Sequence, residues 1–321
     1  MELVTIDDIR QAAKRIEGDV VRTSLVPIDG TVDRTLWVKP ESLQPIGAFK
    51  LRGASNAVAQ AVGRTSTVIT HSSGNHGQAI AMAAAAHGLR AIVVIPDDAP
   101  QIKIDAVRAR GAQIVLVPGE ERASRVEQLA AQKGALVIAP YDDHDVIAGQ
   151  GTVGLEIAED LPELPGGATV LVPVGGGGLL SGVSTALAAL RPDVRVVGVE
   201  PELAGDAAES FHRHTLIRWP RSRTARTIAD GLRSDLADRT FAHIEKYVSD
   251  IVTVTEEQII EACRFLYRRG RLVTEPSGAV ATAGFFAHPQ VVGDRAVAVI
   301  SGGNVDPHWY AENVVTSSAP R

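Results

Sequence analysis

The sequence predicts an α/β protein of two lobes, each built on a mostly parallel twisted sheet flanked by helices. Three observations carry that expectation. Short apolar strand-like runs alternate with helix-like runs at ~20–25 residue spacing, the pattern of βαβ units. The 321 residues are 45% hydrophobic, enough chain and apolar content for more than one core. A polar, glycine-ended segment over residues 142–151 (DDHDVIAGQG) interrupts the alternation and marks a lobe boundary. Residues 68–144 then form a small domain, and residues 1–67 with 145–321 a large one.

Residues 6–17 read as an amphipathic helix, with Asp7 and Asp8 at the positive end of its macrodipole. A short strand over 35–39 leads through a loop punctuated by Pro45 and Gly47 to an alanine-rich helix over 49–62. The regular part follows: strand 67–70, a tight polar loop 71–77, helix 78–87, strand 91–96, helix 102–110, strand 113–117, helix 120–132 and strand 136–140. Past the boundary come helix 152–160, a Pro/Gly-rich turn 162–167, strand 169–174, four glycines, helix 179–190 and strand 195–200. Residues 203–232, rich in Arg and His, show no clear periodicity. Strand 251–254, helices 256–269 and 277–287 and a closing strand 296–300 complete the pattern, with a disordered tail expected over 316–321.

Composition excludes several classes. A formal net charge of −6 and the lack of a long basic run argue against a nucleic-acid binder. A single cysteine, Cys263, rules out an internal disulfide framework and fits a reducing compartment. The first ten residues mix charges early and lack the apolar core of a signal peptide. The most apolar helix-like stretch, 77–87, is too short and too weak to span a bilayer. A cytoplasmic protein with no membrane partner is expected, and a homodimer is the default by base rate.

Chemistry concentrates on three loops and one lysine. Lys50 stands where the Pro/Gly loop becomes a helix, next to Phe49, in a chain with only six lysines. Such an amine is either a solvated first-turn lysine or one with a lowered pKa suited to Schiff-base chemistry. Gly175, Gly176, Gly177 and Gly178 lie between an apolar strand and a helix. There, backbone amides and the helix start can close on an anion. The run lacks both the Lys-Ser/Thr of a nucleotide P-loop and G-x-G-x-x-G spacing, so a monoester phosphate fits better than a pyrophosphate. In the loop 72–77 (SSGNHG), the amides of Ser72, Ser73 and Gly74 suit a substrate carboxylate. Asn75 adds a side-chain donor and Ser73 a hydroxyl that can move a proton. His76 is either catalytic or a hydrogen-bonded structural histidine. The loop 301–306 (SGGNVD) also follows a strand, and in doubly wound sheets ligands collect where such loops converge.

Taken together, FKLRGA, SSGNHGQA, VIAGQGT, VPVGGGGLLSG, EPSGA and SGGNVD resemble the fold-type II pyridoxal-phosphate enzymes, tryptophan synthase β-like in fold. The resemblance is to the serine/threonine dehydratase and serine racemase branch, and it covers nearly the whole chain in order. It implies that Lys50 holds pyridoxal 5'-phosphate as a Schiff base and acts as the base at Cα. The large domain would bind the cofactor and the small one the substrate. Phe49 would pack beside the ring, and Asn75 would bond its phenolic oxygen. Gly175 to Gly178 and Leu179 would wrap the phosphate, and Ser301 would face the pyridine nitrogen. A neutral hydroxyl there makes the ring a weaker electron sink and favours prompt β-elimination.

The resemblance also implies a divalent cation (Mg²⁺, Mn²⁺ or Ca²⁺) at EPELAGD, held by the carboxylates of Glu200 and Asp206 and the carbonyl of Ala204. It implies an L-serine/L-threonine ammonia-lyase, with serine racemase and 3-hydroxyaspartate dehydratase as alternatives. Ser73 sits where the racemases carry the hydroxyl that protonates Cα opposite the lysine. Tyr141 departs from the asparagine of serine racemase toward the aromatic residue of threonine dehydratases. Arg125 and Ser234 fall near positions that can meet a second substrate carboxylate. A β-replacement synthase and a catalytically silent binding protein fit less well, since the lysine and the phosphate loop are intact. With no long C-terminal extension in this sequence, feedback inhibition by isoleucine is not expected.

Overall fold

Apolar runs at strand length and amphipathic runs at helix length sort the chain into two sheets with helices on their faces. The computed structural model describes residues 2–29, 31, 33–72, 74–99, 101–162 and 167–316. In chain order the elements are α1 (Ile6–Arg15), β1 (Val26–Ile28), β2 (Thr35–Pro40), α2 (Lys50–Ala61), β3 (Thr67–His71) and α3 (Asn75–Ala86). Next come β4 (Arg90–Pro96), α4 (Gln101–Arg108), β5 (Gln113–Val117), α5 (Arg122–Lys133), β6 (Leu136–Val137) and α6 (His144–Asp160). They are followed by β7 (Thr169–Pro173), α7 (Gly178–Leu190), β8 (Arg195–Pro201), α8 (Asp206–Arg213), α9 (Arg221–Thr224) and α10 (Asp238–Tyr247). Last are β9 (Asp250–Val254), α11 (Glu256–Phe265), α12 (Pro276–Ala287), α13 (Pro289–Val292), β10 (Arg295–Ile300) and α14 (Pro307–Tyr310).

Six strands form one sheet in the order β1-β2-β10-β7-β8-β9, and four form another in the order β5-β4-β3-β6. Every pairing is parallel except β1 with β2. The central strands are buried on both faces, as continuous apolar runs such as VVGV in β8 and AVAVI in β10 require. The small sheet and its helices share a core of Val68, Val93, Ile80, Ile104 and Val107 with Leu51 and Val58 of α2. Among the described residues, no helix is long and apolar enough to cross a membrane.

Several expectations shift. Helix α3 begins at Asn75 rather than 78, so Asn75 and His76 belong to its first turn and not to a loop. The helix expected from 152 starts earlier, within the polar segment: α6 runs from His144, with the Asp143 carboxylate capping the Val146 amide at 2.9 Å. Strand β6 stops at Val137, although Ile138 still donates to Ile69 O at 2.9 Å. The edge strand β1 and helix α10 went unread, and residues 203–232 resolve into short helical pieces. The tail expected to be disordered lies, from residue 317, outside the described residues, as does part of the turn 162–167.

The glycines of α6 and α7 let main chains touch. A Cβ on Gly182 would lie 2.5 Å from both Gly151 N and Ile147 O, and one on Gly154 would lie 2.8 Å from Val183 O. A Cβ on Gly149 would fall 2.6 Å from Arg52 O, so the same helix presses on α2. Helix α1, closed by a capping box between Thr5 and Asp8, sends Ile9 against Gly151. Glycine is tolerated inside α6 because close approach repays its poor helix propensity. Gly182→Ala should therefore lower stability by about 1–3 kcal/mol in urea unfolding, because no neighbouring side chain can give way. An unchanged unfolding midpoint would contradict this contact.

Candidate active site

Each sheet reverses its strand order once, and both reversals open toward Lys50. In the large sheet the chain runs β7, β8, β9 outward and then places β10 on the other side of β7. The crevice there is bordered by the loops after β7 and β10, which hold Gly175 to Gly178 and Ser301. Strand β2 ends level with β10, with Pro40 opposite Ile300, and so delivers the Lys50 loop to the same edge. In the small sheet β3, β4 and β5 run one way and β6 returns beside β3, so the chain leaving β6 reaches Pro140 and Tyr141 beside the end of β3. Ligands bind at such switch points in open α/β sheets.

Main-chain bonds zip the Lys50 loop to the loop after β10. Phe49 N donates to Ser301 O at 3.0 Å, Gly303 N donates to Gly47 O at 2.8 Å, and Ala48 bridges Gly302. Lys50 opens α2 and sends its amine across to the small lobe, donating to Pro140 O at 2.8 Å. Its Nζ also lies 5.1 Å from the Phe49 ring centroid. The residue keeps partial exposure, but desolvation of the amine brings its pKa down to about 8.

Two residues further along α2, Arg52 roots the helix. Its Nε and Nη2 donate to the two oxygens of Glu41 at 2.7 and 2.8 Å, and Nη1 and Nη2 reach Glu156 at 2.7 and 2.9 Å. Lys39 Nζ adds a 2.5 Å pair with Glu156 and also donates to the Thr23 carbonyl. Arg52, Glu41 and Lys39 are wholly buried. Two cations face two anions, so the group is neutral as a set. Removing one member strands a buried charge, at a cost of about 3–5 kcal/mol.

Across the cleft, Asn75 lies in the first turn of α3, its amide nitrogen donating to Glu275 Oε1 at 2.8 Å and its carbonyl accepting from Asn304 Nδ2 at 2.7 Å. Ser72 Oγ accepts from Gly74 N at 3.2 Å, shaping the loop, and a Cβ on Gly74 would meet only open space. Ser73 lies outside the described residues. His76 does not present itself to a substrate: it is 2% exposed beneath the loop, with Nε2 3.3 Å from Ile138 O. Burial and the nearby Lys50 charge bring its pKa down to about 3, so it stays neutral and structural.

The glycine run is glycine for steric reasons at every position. A Cβ on Gly175 would lie 2.8 Å from Leu232 Cα, and one on Gly177 would lie 2.7 Å from Leu236 Cδ2. A Cβ on Gly176 would enter the Tyr141 ring, and one on Gly178 would meet Tyr141 Cβ at 3.0 Å. Gly177, at φ +85°, takes the left-handed turn that starts α7, and Leu179 is buried behind it. Ser234 is half-buried on the segment between Leu232 and Leu236, the residues that pack on the run. Ser301 is 4% exposed, and its hydroxyl makes a long 3.4 Å bond to Ser277 O. A desolvated amine, a bare-backbone anion cradle, a partly free amide and a neutral hydroxyl suit pyridoxal phosphate.

Arg125 is not brought to Lys50. It bonds Gln128 on its own helix and lines a groove with Val115, Leu116 and Val117 of the outer strand β5. The arginine one turn earlier, Arg122, is half-buried, with Nε donating to Gly119 O at 2.8 Å. Burial and the charge of Arg221 lower its pKa, Asp98 opposes them, and its own charge depresses His71. Helix α5 begins at Arg122 rather than 120.

Glu200 and Asp206 are both buried. The Glu200 carboxylate accepts from Ala207 N at 3.1 Å and Ala208 N at 2.9 Å. Burial, then the nearby Asp206, pushes it well above the usual range, and burial pushes Asp206 up to about 7. Asp206 Oδ2 has no hydrogen-bond partner. Among the described residues, no group of three or more His, Cys, Asp or Glu is arranged to hold a metal. Two buried carboxylates with an orphaned oxygen nonetheless suit an oxygen-ligated cation.

Comparison with known proteins adds an independent line. Residues 16–302 match the family described as "Pyridoxal-phosphate dependent enzyme". The L-threonine ammonia-lyase of Thermotoga maritima is 38% identical over 312 residues, covering 95% of this chain and 76% of that protein. The L-threo-3-hydroxyaspartate ammonia-lyase of Saccharomyces cerevisiae is 39% identical over 320 residues, 97% of this chain and 96% of that protein. The structure of maize serine racemase superposes with a TM-score of 0.90 at 36% identity, covering 97% of each chain.

A test follows from the Lys50 amine. In chain stripped of cofactor, capture of pyridoxal phosphate should speed up as pH rises through about 8 and then level off. Only the neutral amine attacks, and a lowered pKa makes it available at lower pH. Lys50→Arg should abolish trapping by borohydride. A midpoint at the ordinary lysine value would mean the amine is not desolvated.

Proposed function

The chain belongs to the pyridoxal-phosphate dependent enzyme family, and from that premise we propose that it is an L-serine/L-threonine ammonia-lyase. It converts a β-hydroxy amino acid to a 2-oxo acid and ammonia by β-elimination. The observation that carries this is the Lys50 amine, with its pKa brought down to about 8 where the two switch points meet. Bound pyridoxal phosphate supplies a ring conjugated to the substrate's Cα, which makes the Cα proton removable. Lys50 takes that proton as a neutral amine. The amides of loop 72–75 hold the substrate carboxylate, the glycine run holds the cofactor phosphate, and the Ser301 hydroxyl keeps the ring's far side uncharged.

A second substrate class is favoured by Arg122, a half-buried arginine whose charge acts on His71 at the end of β3 and which feels the charge of Arg221. Such a cation suits a substrate with a second carboxylate, in line with the yeast relative that acts on 3-hydroxyaspartate. The orphaned Asp206 Oδ2 supports a divalent cation held by Glu200, Asp206 and the carbonyl of Ala204. A homodimer working in the cytoplasm completes the proposal, in keeping with a free, buried Cys263.

Ammonia release from L-serine, L-threonine and both 3-hydroxyaspartate diastereomers separates these readings. Release from the first two supports the monocarboxylate enzyme. Preference for hydroxyaspartate, lost at least tenfold in Arg122→Ala, supports the other, and D-serine exceeding pyruvate would overturn both. Treatment with a chelator should lower thermal stability and activity together; no change in either would remove the cation from the proposal.

A further inference from the structure

The polarity of the Asn75 amide can be traced from a single main-chain carbonyl. Asn304 Nδ2 donates to Ile46 O at 2.7 Å, and a carbonyl can only accept, so that nitrogen is fixed in place. The same nitrogen gives its second hydrogen to Asn75 Oδ1 at 2.7 Å. Asn75 must then turn its own nitrogen to Glu275 Oε1, 2.8 Å away. An amide turned the other way would set donor against donor at Asn304.

Space for this chain is provided by glycines. A Cβ on Gly47, at φ +75°, would lie 2.5 Å from Asn304 Oδ1, and one on Gly302 would collide with Glu275 Oε1. Glu275 is itself held by its main chain, with its N donating to Gly302 O at 3.1 Å. The residue is 7% exposed, and burial with the charge of Asp230 pushes its carboxyl up to about 8; Lys103, which pairs with Asp230, and Cys263 are its other charged or titratable neighbours. The carboxyl thus keeps an acceptor oxygen toward Asn75 whether or not it carries the proton.

We propose that Asn304 and Glu275 are positioning residues that lock the Asn75 amide, so that its second N–H is the group's remaining donor and serves an oxygen of the bound cofactor's ring. This rests on pyridoxal phosphate occupying the Lys50 site. Four segments, the loops before α2 and after β10 and the starts of α3 and α12, are then held in one hydrogen-bonded line ending at the cofactor. The two partner residues touch neither substrate nor cofactor; they act through Asn75.

A double-mutant cycle tests the line. Glu275→Ala and Asn304→Ala should each shift the visible absorption band of the bound cofactor and weaken its binding roughly tenfold, the scale of one lost oriented hydrogen bond. Asn75→Ala should do the same, and in that background either further change should alter binding less than twofold. Glu275→Gln, which keeps an acceptor oxygen, should recover most of the affinity. Losses that multiply with Asn75→Ala, or a band unmoved by both single changes, would overturn the proposal. Should Glu275→Ala fail to fold, Asn304→Ala at its surface position decides alone by the same cycle. A wild-type chain that never acquires the band with added pyridoxal phosphate would sink the proposed function instead.

Discussion

The neutral, buried quartet of Lys39, Glu41, Arg52 and Glu156 is the constraint on which the site depends. It ties the end of β2, the turn before the Lys50 loop, the first turn of α2 and the middle of α6 into one unit. Buried charge is expensive unless matched, and here each guanidinium nitrogen has an oxygen to meet. With α2 rooted in this way, the Lys50 side chain extends from a fixed base into a low-dielectric gap. That gap lowers the amine's pKa, and the lowered pKa is what gives a lysine its use as a base near neutral pH.

The two sheets contribute in different currencies. The large sheet supplies rigid main chain: bare amides at the glycine run and carbonyls that fix the Lys50 loop. The small sheet supplies side chains and a helix start, through Asn75 and Tyr141. Bonds that cross between them, among them Lys50 to Pro140, Asn75 to Glu275 and Asn304, and Lys103 to Asp230, are polar. Such contacts can be made and broken at modest cost, whereas the packed seams of α2, α6 and α7 cannot.

Much of this was legible in the sequence because periodicity and steric need leave a mark. The strand–helix alternation gave the sheets, and the glycines between β7 and α7 could hardly be anything but a close approach. Elsewhere the same marks misled. Gly149 and Gly151 look like part of a lobe boundary, yet they sit inside α6, where the main chain of α2 presses on the first and Ile9 on the second. Asn75 and His76 read as loop since no apolar period begins until after them, although α3 starts there. Arg122 and Arg125 are one helical turn apart, yet the first lies close enough to act on His71 while the second bonds Gln128 on its own helix. The roles of Arg52, Glu275 and Asn304 are set by partners far away in the chain, which no local window contains.

The glycines of this protein also differ in how far they could be released. Gly176 is confined by the Tyr141 ring, and a smaller residue at 141 would make room for a methyl group. Gly182 is confined by the amide of Gly151 and the carbonyl of Ile147, atoms that every amino acid shares. No second-site change can trim a peptide group. Sequence drift in related chains can therefore pass through the first position by paired replacement, while the α6–α7 seam offers no compensating route and must be inherited as it stands.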